Sequence, residues 1–319
     1  MARFKVLLTD YAWPDLEIER SVLAGADAEL VVAESDDATS LAALARDVDA
    51  IMTNWAQVPA EVIEAAPNCR IVARLGIGLD NIDVACATRR KIPVTNVPDY
   101  CLVEVAEPAL ALVLALGRKV GHYHLATKQG RYELQSGPPL KRIEGQTLGI
   151  VGLGAIGRRL AEKALGIGLS VVATNRSGRC DLAGVRLVGL EELLTTSDYV
   201  SLHVPLTGAT RHLIGQSELA QMKPTAYLVN TARGGVLDHA ALAEALDAGK
   251  LAGAALDVQD PEPPDLGEPP YNDPRVIVTP HAAFYSEESV SDLRRRAAEQ
   301  VAARLHGERP ENVVNPEVL

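Results

Sequence analysis

The stretch Gly149–Ser177, GIVGLGAIGRRLAEKALGIGLSVVATNRS, constrains the fold more than any other part of the chain. Gly152-x-Gly154-x-x-Gly157 follows the apolar run TLGIV and opens the helical pattern IGRRLAEKALGIG. A strand that runs through a glycine turn into a helix is the first crossover of a doubly wound parallel sheet. Each glycine has its own task. Gly152 permits the tight turn, Gly154 lets backbone approach a pyrophosphate, and Gly157 lets helix and strand pack closely. The helix N-terminus adds free N–H groups and partial positive charge.

The same alternation fills the chain. FKVLLTD, ELVVAE, AIMTN, RIVARLG and IPVTNVP read as buried parallel strands in the first hundred residues, with ATSLAALARDV and PAEVIEAAP as helices between them. A second series, TLGIVGL, SVVATN, VRLVG, DYVSLHVPL, AYLVNTA, LAGAALDV and VIVTPHAA, follows Thr147. An α/β class with two domains suits the 319 residues, of which 47% are hydrophobic. Asp99–Lys119 has helical length and is apolar on most faces, so burial at a domain or subunit interface is expected. QSGPPLKRIEGQ reads as a loop, and Asp260–Pro274 as a Pro-rich loop that is ordered only if something packs on it. SEESVSDLRRRAAEQVAARLHG is an amphipathic helix near the C-terminus.

A net charge of −11 argues against nucleic acid or an anionic membrane as partner. The N-terminal apolar run is short enough for a first strand rather than a signal peptide. Cys69, Cys86, Cys101 and Cys180 show no C-x-x-C spacing. No metal site is expected from them, and buried thiols in a reducing cytoplasm are.

The strand SVVATN ends at Asn175, where a site reading NAD usually places Asp or Glu for the ribose hydroxyls. Asn175 does not repel a phosphate, Arg176 can pair with a 2′-phosphate, and Ser177 can donate to it. NADP is therefore favoured over NAD. Further on, three polar residues follow strand ends, where open α/β sheets hold their ligands: Arg233 in LVNTARGGVLD, Glu262 in ALDVQDPEPP and His281 in VIVTPHAAFYSEE. A 2-oxo acid needs a cation for its carboxylate, which suits a bidentate Arg. Its reduction needs a proton donor that titrates near neutrality, which suits His. A neighbouring carboxylate fixes the tautomer of that His.

GLGAIG, LHVPLT, NTARGG, ALDVQDPEP and TPHAA, in that order, resemble the D-isomer-specific 2-hydroxyacid dehydrogenases over nearly the whole chain. PDYCLVEVAEPALALVLAL and TPHAAFYSEE are most similar to the branch holding the C-terminal-binding protein corepressors and their bacterial relatives. The resemblance implies two Rossmann-like doubly wound domains. A flavodoxin-like substrate domain of residues 1–98 and 287–319 would carry an inserted dinucleotide-binding domain of residues 99–286. Arg233, Glu262 and His281 would bind and reduce the substrate, with His281 as acid/base and Glu262 paired to it, and Arg233 and His281 would also border the cofactor. Backbone at Ala155 and Ile156 would meet the pyrophosphate, and His203 and Pro205 of LHVPLT would also line the cofactor. Thr231 and Ala232 would lie near the nicotinamide, whose carboxamide Asp257 would hold. Amides at Ile77 and Gly78, in ARLGIGLDNID, would meet the substrate carboxylate. A homodimer would form through the inserted domain.

The chain departs from that pattern at Asn175, which puts NAD preference in doubt. Trp55 stands in TNWAQVP, near where phosphoglycerate-oxidising members often carry Arg, which weakens a phosphorylated substrate. No C-terminal regulatory extension is expected after the last helix. The leading expectation is hydride transfer between NADP or NAD and C2 of a small 2-oxo acid, giving the D-hydroxy acid. A dinucleotide-gated corepressor-like binding protein is the alternative, and oxidation of an inorganic or one-carbon anion a third reading.

Overall fold

Five short apolar segments pair in parallel at the start of the chain: β1 (Phe4–Leu8), β2 (Ala28–Val32), β3 (Ala50–Thr53), β4 (Val72–Arg74) and β5 (Val94–Thr95). In this computed structural model, which describes residues 2–135 and 140–319, their order is β2-β1-β3-β4-β5. That is the flavodoxin-like order, with the reversal between β1 and β3. Helices α1 (Glu17–Gly25), α2 (Ala38–Ala45), α3 (Ala60–Glu64) and α4 (Val84–Arg89) connect the strands. Asp37 caps α2 through the Ser40 N–H, and Asp83 caps α4 through the Cys86 N–H. Leu7, Ile51, Val62, Val72 and Val94 lie in one buried cluster.

The chain divides into two units, Met1–Tyr100 with Ser286–Leu319, and Cys101–Tyr285. The C-terminal helix, Glu287–Leu305, belongs to the first. Its Arg294 is buried and donates to both carboxylate oxygens of the buried Glu19 in α1, each at 2.8 Å, and to Asp15 at 2.9 Å. Ser286 caps this helix through the Ser289 N–H.

The second unit holds a seven-stranded parallel sheet of β6 (Thr147–Val151), β7 (Ser170–Thr174), β8 (Val185–Leu187), β9 (Tyr199–Leu202), β10 (Tyr227–Asn230), β11 (Gly253–Leu256) and β12 (Val276–Val278). The order β12-β11-β10-β9-β6-β7-β8 is Rossmann-like, and the reversal lies between β6 and β9. Both faces are buried: Leu228 and Ala254 point into one core cluster, and their neighbours Val229 and Ala255 into the other. That explains the unbroken apolar runs of these strands. Its helices are α5 (Leu102–Arg118), α6 (Val120–Lys128), α7 (Ala155–Gly166), α8 (Leu190–Thr196), α9 (Gln216–Leu219) and α10 (His239–Asp247).

Within its unit helix α5 buries one stripe, Val105, Ala109, Leu112, Val113 and Leu116, while Val103 and Ala111 are exposed. Helix α6 is absent from the sequence reading. It begins after Lys119, whose φ of 55° ends α5. Of the expected QSGPPLKRIEGQ loop, Ser136–Pro139 lie outside the described residues. The Pro-rich loop is packed through Tyr271, which joins the core around Leu242 and meets His239 by its hydroxyl. Among the described residues no helix is long and apolar enough to cross a membrane.

Candidate active site

The glycine turn after β6 has the shape its sequence requires. Gly152 has φ 103°, and a Cβ there would lie 2.4 Å from the carbonyl oxygen of His203. A Cβ on Gly157 would lie 2.3 Å from the Gly152 carbonyl oxygen. At Gly154 the same test meets nothing within 4 Å, so backbone faces open space there. Gly154 caps α7 without a side chain, and Ala155 and Ile156 form its first turn. Their N–H groups have no partner within the helix, which suits an anion. The turn therefore fits a dinucleotide pyrophosphate.

His203 closes the turn from β9. Its N–H donates to the Val151 carbonyl at 2.7 Å, and its Nε2 meets the Ser201 hydroxyl at 2.8 Å. Burial pushes this imidazole down to about 4, so it is neutral at neutral pH. Pro205 is exposed and accepts from the Thr210 hydroxyl at 2.6 Å. The Thr231 hydroxyl, after β10, is buried with no hydrogen-bond partner among the described residues, and the Ala232 N–H donates to Asn230 Oδ1 at 3.0 Å. An orphaned buried hydroxyl beside the strand ends is a further fit to a bound dinucleotide.

After β7 the chain makes a tight polar turn. Asn175 Oδ1 accepts from the Gly178 N–H at 2.8 Å and the Ser177 hydroxyl at 3.2 Å, while its Nδ2 donates to the Arg179 carbonyl at 2.8 Å. Asn175 and Ser177 thus shape the loop, and Arg176 is exposed on it. The Asn-x-Ser-Gly pattern is the signal for such a turn.

Arg233, Glu262 and His281 lie on turns after β10, β11 and β12. Arg233 Nη1 donates to the Ala232 carbonyl at 2.8 Å, and Asn230 Nδ2 holds the Arg233 carbonyl at 2.9 Å. Glu262 and His281 are in direct contact, Oε2 to Nδ1, at 2.9 Å. The other Glu262 oxygen accepts the Gln259 N–H at 2.8 Å. Burial pushes the Glu262 carboxyl up, but the His281 hydrogen bond and charge, the Gln259 N–H and the Arg233 charge outweigh it. The net shift is downward, so the group is a carboxylate at neutral pH.

His281 has φ 52°, an uncommon conformation for a residue with a side chain. Its N–H donates to the Asp257 carbonyl at 2.7 Å. The buried Asp257 carboxylate accepts from the Thr279 hydroxyl at 2.6 Å, the Ala282 N–H at 3.0 Å and the Ala283 N–H at 2.9 Å. Asp257 therefore clamps the turn that carries His281, a task the sequence reading missed. Phe284 lies edge-on to the imidazole, with ring centroids 6.2 Å apart.

Ile77 and Gly78 belong to the first unit, on the loop between β4 and α4. The Ile77 carbonyl is held by Asn96 Nδ2 at 2.8 Å. In the same unit Asp10 accepts the N–H groups of Asn54 at 3.0 Å and Trp55 at 2.7 Å, and the Trp55 side chain is exposed.

A family described as D-isomer specific 2-hydroxyacid dehydrogenase, NAD binding domain, matches residues 110–283. A glyoxylate reductase of Korarchaeum cryptofilum is 44% identical over 283 residues, covering 86% of this chain and 85% of the relative. The solved NADPH-dependent glyoxylate/hydroxypyruvate reductase of Sinorhizobium meliloti, in complex with NADP and malonate, superposes with a TM-score of 0.87 at 31% identity, covering 98% and 97% of the two chains. The D-lactate dehydrogenase of Aquifex aeolicus, complexed with NAD and lactic acid, gives a TM-score of 0.87 at 28% identity, covering 95% and 96%.

Proposed function

We propose, for a chain that belongs to the D-isomer-specific 2-hydroxyacid dehydrogenase family, that Arg233, Glu262 and His281 are its catalytic set. The protein is an NAD(P)-dependent oxidoreductase acting on small 2-oxo and 2-hydroxy acids. Its relatives are named reductases and dehydrogenases, which favours turnover over a corepressor-like binding role. The contact between Glu262 and His281 carries the catalytic reading, because it joins a carboxylate to a proton donor at the strand ends.

A bound nicotinamide dinucleotide supplies or takes the hydride. In reduction His281 gives its proton to the substrate oxygen from Nε2, because Nδ1 is engaged by Glu262. Glu262 orients the ring through Nδ1. Arg233 binds the substrate carboxylate and polarises the carbonyl. Amides at Ile77 and Gly78 are proposed as further carboxylate donors. Relatives named glyoxylate reductase and hydroxypyruvate reductase make glyoxylate and hydroxypyruvate the first acids to try. D-3-phosphoglycerate dehydrogenases are also among the relatives, and it is Trp55 in TNWAQVP that disfavours a phosphorylated acid.

Glu262→Gln tests the pairing. The carboxylate engages Nδ1 and so leaves Nε2 for substrate. An amide in its place can offer an N–H to Nδ1 and hold the other tautomer, so kcat should fall by about tenfold to a hundredfold with KM for the acid little changed. Wild-type kcat in Glu262→Gln would contradict the assignment.

NADP is the proposed preferred cofactor, on the support of the exposed Arg176 and the missing acidic residue at Asn175. Arg176→Ala should then reduce kcat/KM with NADPH by about tenfold to a hundredfold, as expected for a charge-assisted contact of about 1.5–3 kcal/mol. Turnover with NADH should barely change. A wild-type preference for NADH would overturn this choice.

Two copies are proposed to associate through the second unit, where Val120, Leu125, Tyr132 and Leu134 expose apolar surface. The proposed compartment is the cytoplasm, in keeping with four free thiols.

A further inference from the structure

Gln259 lies three residues beyond β11 and is 6% exposed. Its main-chain N–H donates to Glu262 Oε1 at 2.8 Å. Its side-chain Nε2 donates to two carbonyls, that of Leu256 at 3.0 Å and that of Thr279 at 3.1 Å. Its own carbonyl oxygen would lie 1.9 Å from a Cβ placed on Gly234, the residue after Arg233. One side chain and its backbone therefore touch the Glu262 carboxylate, the turn leading to His281 and the turn leaving Arg233.

The location explains why a strut is useful there. The ladder between β11 and β12 ends at Leu256 and Val278. Beyond it the Thr279 N–H donates to the Leu256 carbonyl at 3.0 Å and the His281 N–H to the Asp257 carbonyl at 2.7 Å. The carboxamide of Gln259 adds a side-chain bridge between the same two segments, and its main chain links that bridge to Glu262. A carboxylate in its place would face two carbonyl oxygens with no proton to offer, and an apolar side chain would leave those carbonyls without this donor.

We infer that Gln259 is a positioning residue for proton transfer, holding Glu262 and His281 at the separation their hydrogen bond requires. This rests on the reading of His281 as the acid. Gln259 acts through those two side chains and is not itself placed on substrate. Besides His281, Arg233 is the group whose charge acts on the Glu262 carboxylate. Any change seen on altering Gln259 must therefore be read with Arg233 intact.

The test compares Gln259→Met and Gln259→Glu with wild type and with His281→Ala, all as the full chain. Readouts are melting temperature, NADPH affinity by nucleotide fluorescence, and kcat and KM for glyoxylate. Gln259→Met keeps the length and loses the donors. It should bind NADPH as wild type does and keep its KM, while kcat falls about tenfold to a hundredfold, the penalty of a misplaced reacting group. Gln259→Glu should show the same split between kcat and KM. Wild-type kcat in Gln259→Met would overturn the inference. So would a loss of NADPH binding and melting temperature in both variants that matches the loss in kcat. An active His281→Ala would instead remove the reading beneath it, so the two failures are distinguishable.

Discussion

Replacing His281 with alanine is expected to lower kcat for 2-oxo acid reduction by about 10²–10⁴-fold, the usual scale of general acid–base catalysis. The variant removes the imidazole whose Nδ1 meets Glu262 Oε2 at 2.9 Å and whose Nε2 is proposed to give the proton. The glycine turn, α7 and the Asn175 loop do not involve its side chain, so NADPH affinity should stay near that of wild type. The turn itself is held by backbone and by Asp257, which grips Thr279, Ala282 and Ala283 rather than the imidazole. The loss should therefore appear in kcat, measured by the absorbance of the reduced nicotinamide. Near-normal kcat would show that His281 is not the acid.

The second large effect is expected at Arg233. Arg233→Ala should raise KM and lower kcat together, because the same guanidinium binds the carboxylate and polarises the carbonyl. The combined loss in kcat/KM should reach about 10²-fold or more, given roughly 1.5–3 kcal/mol for each charge-assisted hydrogen bond. Arg233→Lys should not restore it. An ammonium keeps the charge but lacks the planar fork that meets two carboxylate oxygens at once. Recovery of wild-type kcat/KM in Arg233→Lys would mean that charge alone suffices and that the bidentate contact is not made.

How far the sequence could be read depends on which interactions were local. The parallel strands were legible because burial on both faces writes them as unbroken apolar runs, as in the Ile-Val of β6 and the Leu-Val of β10. The glycine turn was legible because each glycine is forced by backbone, at Gly152 by the His203 carbonyl and at Gly157 by the Gly152 carbonyl. Arg233, Glu262 and His281 could be named one by one, since each follows a strand. The contact between Glu262 and His281 spans nineteen positions and depends on two turns meeting, which no local pattern encodes.

The misses have the same origin. The grip of Asp257 on a turn more than twenty residues away carried no local signal. Gln259 carried no signal, since a buried amide beside an acidic loop reads as ordinary packing. Helix α6 was missed because Lys119 breaks α5 in a left-handed conformation that a lysine does not advertise.

The central claim is that this chain reduces a 2-oxo acid with a dinucleotide held at the Gly152 turn. The most direct measurement is turnover of glyoxylate, hydroxypyruvate and pyruvate with NADPH and NADH side by side, with the lactate formed from pyruvate resolved into its enantiomers. The account predicts oxidation of the reduced nucleotide only when a 2-oxo acid is present, faster with NADPH, and D-lactate as the pyruvate product. Nucleotide binding without turnover on any of the three acids, or formation of L-lactate, would contradict it.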